Sequence, residues 1–115
     1  MRYIYGSGMA SEKAFITYIT DQLQGSGEVL AKPMFGEYGL YLDGKLFALV
    51  CDNKLFIKPT AGGREYIGEV TEASPYPGAK PSFLIEDQIE DRDWLCKLVQ
   101  ITVAELPEPK IKKKK

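Results

Sequence analysis

The stretch that decides the fold is residues 32–58, which read KPMFGEYGLYLDGKLFALVCDNKLFIK. Short runs of aromatic and aliphatic residues are separated there by Asp43-Gly44 and by Asp52-Asn53. These residue types tolerate the positive φ angles that two-residue hairpin turns require. The stretch therefore predicts an antiparallel meander with strands at residues 38–42, 45–51 and 54–58.

An amphipathic helix and a further strand are predicted before the meander. Ser11 suits a helix N-cap, and the glycines at positions 25 and 27 end the helix. Residues 29–34 form a strand, which we place at a sheet edge because Pro33 has no N–H to donate to a neighbour. The apolar stripe of the helix recurs at helical spacing and comprises Phe15, Ile16, Tyr18, Ile19 and Leu23.

After the meander the pattern predicts a short helix, a long connection, a fifth strand and a final helix. Thr60 caps the short helix and Gly68 ends it, and residues 70–81 are rich in Pro and Gly. Residues 82–85 form the fifth strand, and Asp91 or a neighbouring acid caps the final helix. The predicted fold is α+β in two layers, with element order α-β-β-β-β-α-β-α. The apolar stripe of the final helix comprises Trp94, Leu95, Leu98, Val99, Thr102, Val103 and Leu106.

Two-residue turns fix a pairing for the meander. With Asp43 and Gly44 in the turn, Leu42 faces Lys45 and Leu40 faces Phe47, since antiparallel pairing proceeds one residue at a time. This pairing predicts that one sheet face is an uncharged core covered by helices. The residues of that predicted core face are Gly39, Tyr41, Leu46, Ala48, Val50, Leu55 and Ile57.

The opposite face of the predicted meander is also apolar, which is unusual for an antiparallel sheet with a solvated side. Either another segment of the same chain covers it, or it is a contact surface for a protein partner or a second copy, as in a homodimer. The predicted contact residues are Leu40, Leu42, Phe47, Leu49 and Phe56.

Length and charge predict a single domain with separable ends. The 115 residues suffice for one core, with a domain at 9–106, an extension at 1–8 and a disordered tail at 107–115. The net charge is −1, yet without the lysines of the tail it is −6. An acidic body disfavours a broad nucleic-acid surface, and the tail leaves open a weak, non-specific contact with nucleic acid. The lysines of the tail are Lys110, Lys112, Lys113, Lys114 and Lys115.

The residue types present offer little for catalysis. The chain has no histidine, which removes the commonest general base, and its two cysteines, Cys51 and Cys96, are predicted to be buried thiols in a reducing, cytoplasmic setting. We therefore expect a non-enzymatic protein without cofactor or metal and without a membrane span. Two alternatives stay open: a small-ligand binder or an enzyme of unknown reaction with a pocket near Phe35, Tyr38 and Tyr76, and an anion held at the helix start by the backbone of residues 62–64.

The meander resembles the N-terminal domain of the TfoX/Sxy family of competence regulators. The later segments 81–83 and 94–95 are similar to the closing strand and helix of that domain. The resemblance implies an α/β fold with a meander packed against helices, and a regulatory role that involves the transcription machinery. Full-length regulators continue into a second helical domain, so the chain resembles a single-domain member. The motif residues are Met34, Phe35, Gly36, Gly39, Leu40, Tyr41, Asp43, Gly44, Lys45, Phe47 and Lys58.

Overall fold

The computed structural model describes residues 13–34 and 37–107. These residues contain a six-stranded antiparallel sheet, against which the helices pack. The strand order across the sheet is β1-β2-β3-β4-β6-β5. Short 3-10 helices at Gln24–Ser26 and Asp87–Glu90 accompany the longer elements. The strands are β1 (Val29–Met34), β2 (Glu37–Leu42), β3 (Lys45–Cys51), β4 (Lys54–Ile57), β5 (Glu72–Ala73) and β6 (Ser82–Ile85), and the helices are α1 (Lys13–Gln22), α2 (Ala61–Ile67) and α3 (Arg92–Glu105).

The α+β prediction is confirmed, with one strand more than expected. β1 lies at the edge of the sheet, as Pro33 predicted. The additional strand is β5, which lies in the Pro- and Gly-rich connection and pairs with β6. A strand of two residues carries too little alternation to be recognised in a sequence.

Turns and helix caps form where the residue types predicted them. Asp43 and Asp52 adopt φ angles of 54° and 55°, in the left-handed region that such hairpin turns require. The Thr60 side chain accepts a hydrogen bond from the N–H of Gly63 at 2.9 Å and caps α2. Asp91 accepts one from the N–H of Trp94 at 3.1 Å and caps α3.

All three helices pack on one side of the sheet. The core cluster joins Ile19 of α1 and Leu98 of α3 to the strands, and Tyr66 of α2 packs against it. The rings of Tyr66 and Trp94 stack with their centroids 5.4 Å apart, which holds α2 against α3. Tyr18 was expected beside the stripe of α1, but its side chain is 40% exposed.

The predicted pairing of β2 with β3 is wrong beyond the second residue pair. Leu42 faces Lys45 and Tyr41 faces Leu46, as expected, but Leu40 faces Ala48 and not Phe47. A β-bulge at this point leaves Phe47 as an additional residue on β3. The pairing of β3 with β4 is confirmed, with Leu49 opposite Phe56.

Because of the bulge, several residues lie on the face of the sheet opposite to the one predicted for them. Leu40, Leu42 and Phe47 lie in the core, with at most 5% of each exposed. They therefore cannot line an open face, contrary to the prediction. Tyr41 and Leu46, which were expected in the core, are half-buried and lie outside the core cluster. The physical reason is that one additional residue reverses the alternation of side chains on either side of it.

Several predictions fall on residues that lie outside the described ranges. These are the extension at 1–8, the N-cap Ser11, the motif residues Phe35 and Gly36, and the lysines of the predicted tail.

Candidate functional site

The face of the sheet that points away from the helices, which we call the outer face, is defined by pairing and by contacts. Gly39 is its reference point: a Cβ atom built on this glycine would lie 2.9 Å from Cδ1 of Leu46 and 3.3 Å from Sδ of Met34. The Lys32 ammonium lies 5.1 Å from the centroid of the Tyr41 ring, so these side chains share the face. Pairing places the remaining members beside them. The outer face comprises Leu30, Lys32, Met34, Gly39, Tyr41, Leu46, Leu49, Cys51, Lys54, Phe56 and Leu84.

The outer face is apolar across its centre. Leu46, Leu49 and Leu84 are half-buried there, and Leu30 on the edge strand is 47% exposed. Phe56 is 4% exposed, yet it is not part of the core cluster beneath the helices. Within the described residues, the helices contribute their buried side chains to the opposite face. The outer face is therefore a hydrophobic surface without a helical cover from that part of the chain.

Charged groups are confined to the margin of the outer face. Lys32 lies on the edge strand, and Lys54 pairs at 3.6 Å with Asp52 in the β3–β4 turn. At the same end of the strands, Glu37 accepts a hydrogen bond from the N–H of Asp52 at 3.1 Å. Because these charges are of both signs, the margin has no strong single-sign field.

Cys51 is the one thiol on the outer face, and its environment keeps it protonated. Burial, together with the nearby carboxylates of Glu37 and Asp52, raises the pKa of the Cys51 thiol from 9.0 to about 11. The thiolate is the nucleophilic form of cysteine, so this thiol is unreactive near neutral pH. The second cysteine, Cys96, donates from Sγ to the carbonyl of Gln22 at 3.2 Å. The prediction that both thiols are buried is confirmed.

The residues predicted to form a contact surface divide between the two faces. Leu49 and Phe56 lie on the outer face, whereas Leu40, Leu42 and Phe47 belong to the core. Four further members of the outer face were not predicted from the sequence: Leu30, Tyr41, Leu46 and Leu84. Their pairing partners would have identified them once the bulge was known, because each lies opposite or next to a member.

The motif residues in the described ranges serve the architecture. Asp43 and Gly44 form the β2–β3 turn with φ angles of 54° and 79°. The Lys45 ammonium donates to the carbonyl of Val103 at 3.1 Å, close to the end of α3. The backbone N–H of Lys58 donates to the carbonyl of Phe47 at 2.9 Å, next to the bulge.

The start of α2, which could have held an anion, is occupied by groups of the chain itself. The N–H of Gly62 donates to the carboxylate of Glu105 at 2.8 Å, and the N–H of Gly63 donates to Thr60. A Cβ atom at Gly62 would collide with that carboxylate, so glycine permits the contact. The negative group at this helix start is therefore the side chain of Glu105 at the end of α3.

A surface cleft of about 420 Å³, part of it open solvent, lies between the end of α2 and β6. Glu69, Glu86 and Asp87 are among its lining residues, so it differs in place from the pocket envisaged near Tyr38 and Tyr76. Tyr76 is 45% exposed. Among residues 13–34 and 37–107, no three His, Cys, Asp or Glu side chains come close enough to hold a metal ion.

The helices in the described ranges are short compared with a bilayer. The longest, α3, has 14 residues, and none of them is long and apolar enough to span a membrane.

Comparisons with known proteins agree with the fold. The family model of the TfoX N-terminal domain matches residues 21–106, which include the whole sheet and the helices α2 and α3. The uncharacterised 12.7 kDa protein in the trpE 5′ region of Spirochaeta aurantia is 37% identical over 107 residues, which are 93% of each chain. The matched range and the shared length lead to the same result: this chain belongs to the TfoX N-terminal domain family.

Proposed function

We propose that this chain is a non-enzymatic module that binds a protein through its outer face. The observation that carries the proposal is the apolar character of this face. Leu30 is exposed on it, Leu46 and Leu49 are half-buried, and no helix of the described residues packs over it. A regulatory protein can act through such a contact alone, in keeping with the role that the family resemblance implies.

The outer face is large enough for a weak, transient contact. Five strands of four to seven residues, at a spacing of about 4.8 Å between strands and roughly 3.4 Å per residue, give a face of about 24 by 18 Å. Part of this face is already buried in the single chain, with Phe56 4% exposed, and each 100 Å² of its remaining apolar surface removed from water contributes about 2.5 kcal/mol before the entropic costs of association. Contiguous apolar patches of a few hundred Å² on a monomer are often functional.

The cleft near α2 supports binding of a small ligand less well. Its carboxylates, Glu86 among them, are exposed. Ligand pockets are predominantly apolar with a few convergent polar groups, and this cleft lacks that character.

The proposal can be tested with a photo-crosslinking amino acid at position 30, irradiated inside the cells that produce the protein. Leu30 is 47% exposed on the outer face, so a bulky side chain is accommodated there without disturbing the core. The matched control is position 18, because Tyr18 is 40% exposed on α1, on the side of the helices. Crosslinked peptides are identified by mass spectrometry.

We expect position 30 to give adducts with defined protein peptides and position 18 to give none. Absence of adducts from position 30, or equal adducts from both positions, would contradict the proposal. Adducts of position 30 with residues 1–12 of the same molecule would also contradict it, because the face would then be covered from within.

A further inference from the structure

We infer that the occupant of the outer face is a second copy of this chain, packed face to face around a two-fold axis. The inference rests on the proposed function and names its partner. It follows from the shape of the face, from the positions of the charges and from the way the sheet edges end.

The sheet edges disfavour growth of the sheet by pairing with another chain. β1 contains Pro33, which has no N–H to offer to an added strand. The opposite edge, β5, has only two residues, Glu72 and Ala73, and very short edge strands resist such pairing. Association of this sheet therefore uses its face, since neither edge is a good template for a further strand.

The outer face has the composition of a homodimer interface. Its central positions, with Gly39 beside Leu49 and Phe56 beside Leu84, carry no charge. Interfaces between identical subunits are depleted of charge at the centre and keep polar groups at the rim. Here the rim holds Lys32 and Lys54.

The face of one sheet can be matched by the face of another sheet. Two sheets pack face to face about 10 Å apart with their strands within about 30° of each other. A second copy offers a face of the same length, width and apolar character, and a two-fold axis makes the same patch serve on both subunits. Packing of two sheets in this way does not require a groove on the outer face, as the docking of a single helix would.

The area available places this dimer among weak, transient complexes. A face of about 24 by 18 Å gives roughly 430 Å² from each copy, and the total of about 860 Å² is below the roughly 1,000 Å² that stable specific interfaces bury. We therefore expect a dissociation constant in the micromolar range, on the order of 1–50 µM, and not a permanent dimer.

Sedimentation equilibrium of the full chain from about 1 to 300 µM tests the inference, a range that brackets the expected constant. The test variants are Leu49→Lys at the centre of the outer face and Leu30→Glu at its margin, and Tyr18→Glu is the control of similar exposure on α1. Circular dichroism and thermal unfolding establish that each variant folds. If Leu49→Lys fails to fold, Leu30→Glu still decides, because its position is already 47% exposed.

We expect the original chain and Tyr18→Glu to dimerise with the same constant. Leu49→Lys should dimerise at least about tenfold more weakly, because its charge is desolvated at the centre of the face. Leu30→Glu should dimerise about fivefold more weakly, because it loses the apolar contact of a leucine at the margin. A chain that stays monomeric throughout, or a dimer that Leu30→Glu leaves unchanged, would overturn the inference. If the chain is monomeric and position 30 still crosslinks to a different protein, a second copy is ruled out as the occupant of the outer face. The proposed function then stands.

Discussion

At the scale of the single residue, Cys51 shows how the outer face sets side-chain chemistry. Burial and two nearby carboxylates raise the pKa of its thiol to about 11 in the folded chain, against 9.0 for an ordinary thiol. The folded state therefore keeps a proton that the unfolded chain loses above pH 9. This contribution to stability is fully present below pH 9 and is lost as the pH rises towards 11.

We predict that the free energy of unfolding falls between pH 9 and 11 by roughly 2–3 kcal/mol more in the original chain than in Cys51→Ala, at about 1.4 kcal/mol per pKa unit. Urea titrations at a series of pH values measure this difference. Burial also raises the pKa of Tyr66, but Tyr66 is present in both proteins and its effect cancels. Parallel pH profiles of the two proteins would show that Cys51 titrates as an ordinary thiol.

Residues at turns and helix ends were predictable because their local chemistry decides the backbone. Thr60 and Asp91 cap α2 and α3 as expected, since each offers a side-chain oxygen to an N–H that the helix leaves without a partner. Asp43 adopts a positive φ because its short polar side chain tolerates that region. None of these outcomes depends on residues distant in sequence.

At the scale of the element, the bulge in β3 decides which side chains are buried. Phe47 is fully buried in the core, whereas its neighbour Leu46 is half-buried on the outer face. A regular hairpin would place Leu46 in the core and Phe47 outside. The effects of substitutions at these two positions on stability therefore test for the bulge, whether or not a partner binds.

We predict that Phe47→Ala lowers the free energy of unfolding by about 3–5 kcal/mol, because it leaves a cavity in the core. Leu46→Ala is expected to cost about 1 kcal/mol, since its side chain is only half removed from water. Denaturant titrations of both variants at low protein concentration, where the chain is monomeric, compare them directly. The reverse order of the two costs would contradict the bulge.

The bulge could not be predicted from the sequence. Leu46, Phe47 and Ala48 are all apolar, so no polar residue marks the position where the alternation changes. The bounds of β1, β3 and β6 were predictable because glycine, proline and acidic turn residues surround them. Pairing over a longer distance depends on how Phe47 packs beneath the helices, which no local pattern contains.

At the scale of the whole molecule, the sheet separates two apolar surfaces with different uses. The inner surface packs against α1, α2 and α3 and forms the core. The outer face carries Leu46 and Leu49, which are partly accessible. The sequence predicted two apolar surfaces and the α+β class, but it exchanged residues of β2 and the start of β3 between the two surfaces.

One measurement tests both the division of the sheet and the occupation of its outer face: methyl NMR of the leucine-labelled full chain with a soluble paramagnetic agent. At low protein concentration we predict broadening of the outer-face leucines, and at high concentration we predict their protection by the second copy. Core leucines stay sharp at every concentration. Broadening of Leu40 or Leu42 would contradict the division, and equal broadening of the outer leucines at every concentration would contradict occupation by a second copy. The outer leucines are Leu30, Leu46, Leu49 and Leu84, and the core references are Leu40, Leu42, Leu95 and Leu98.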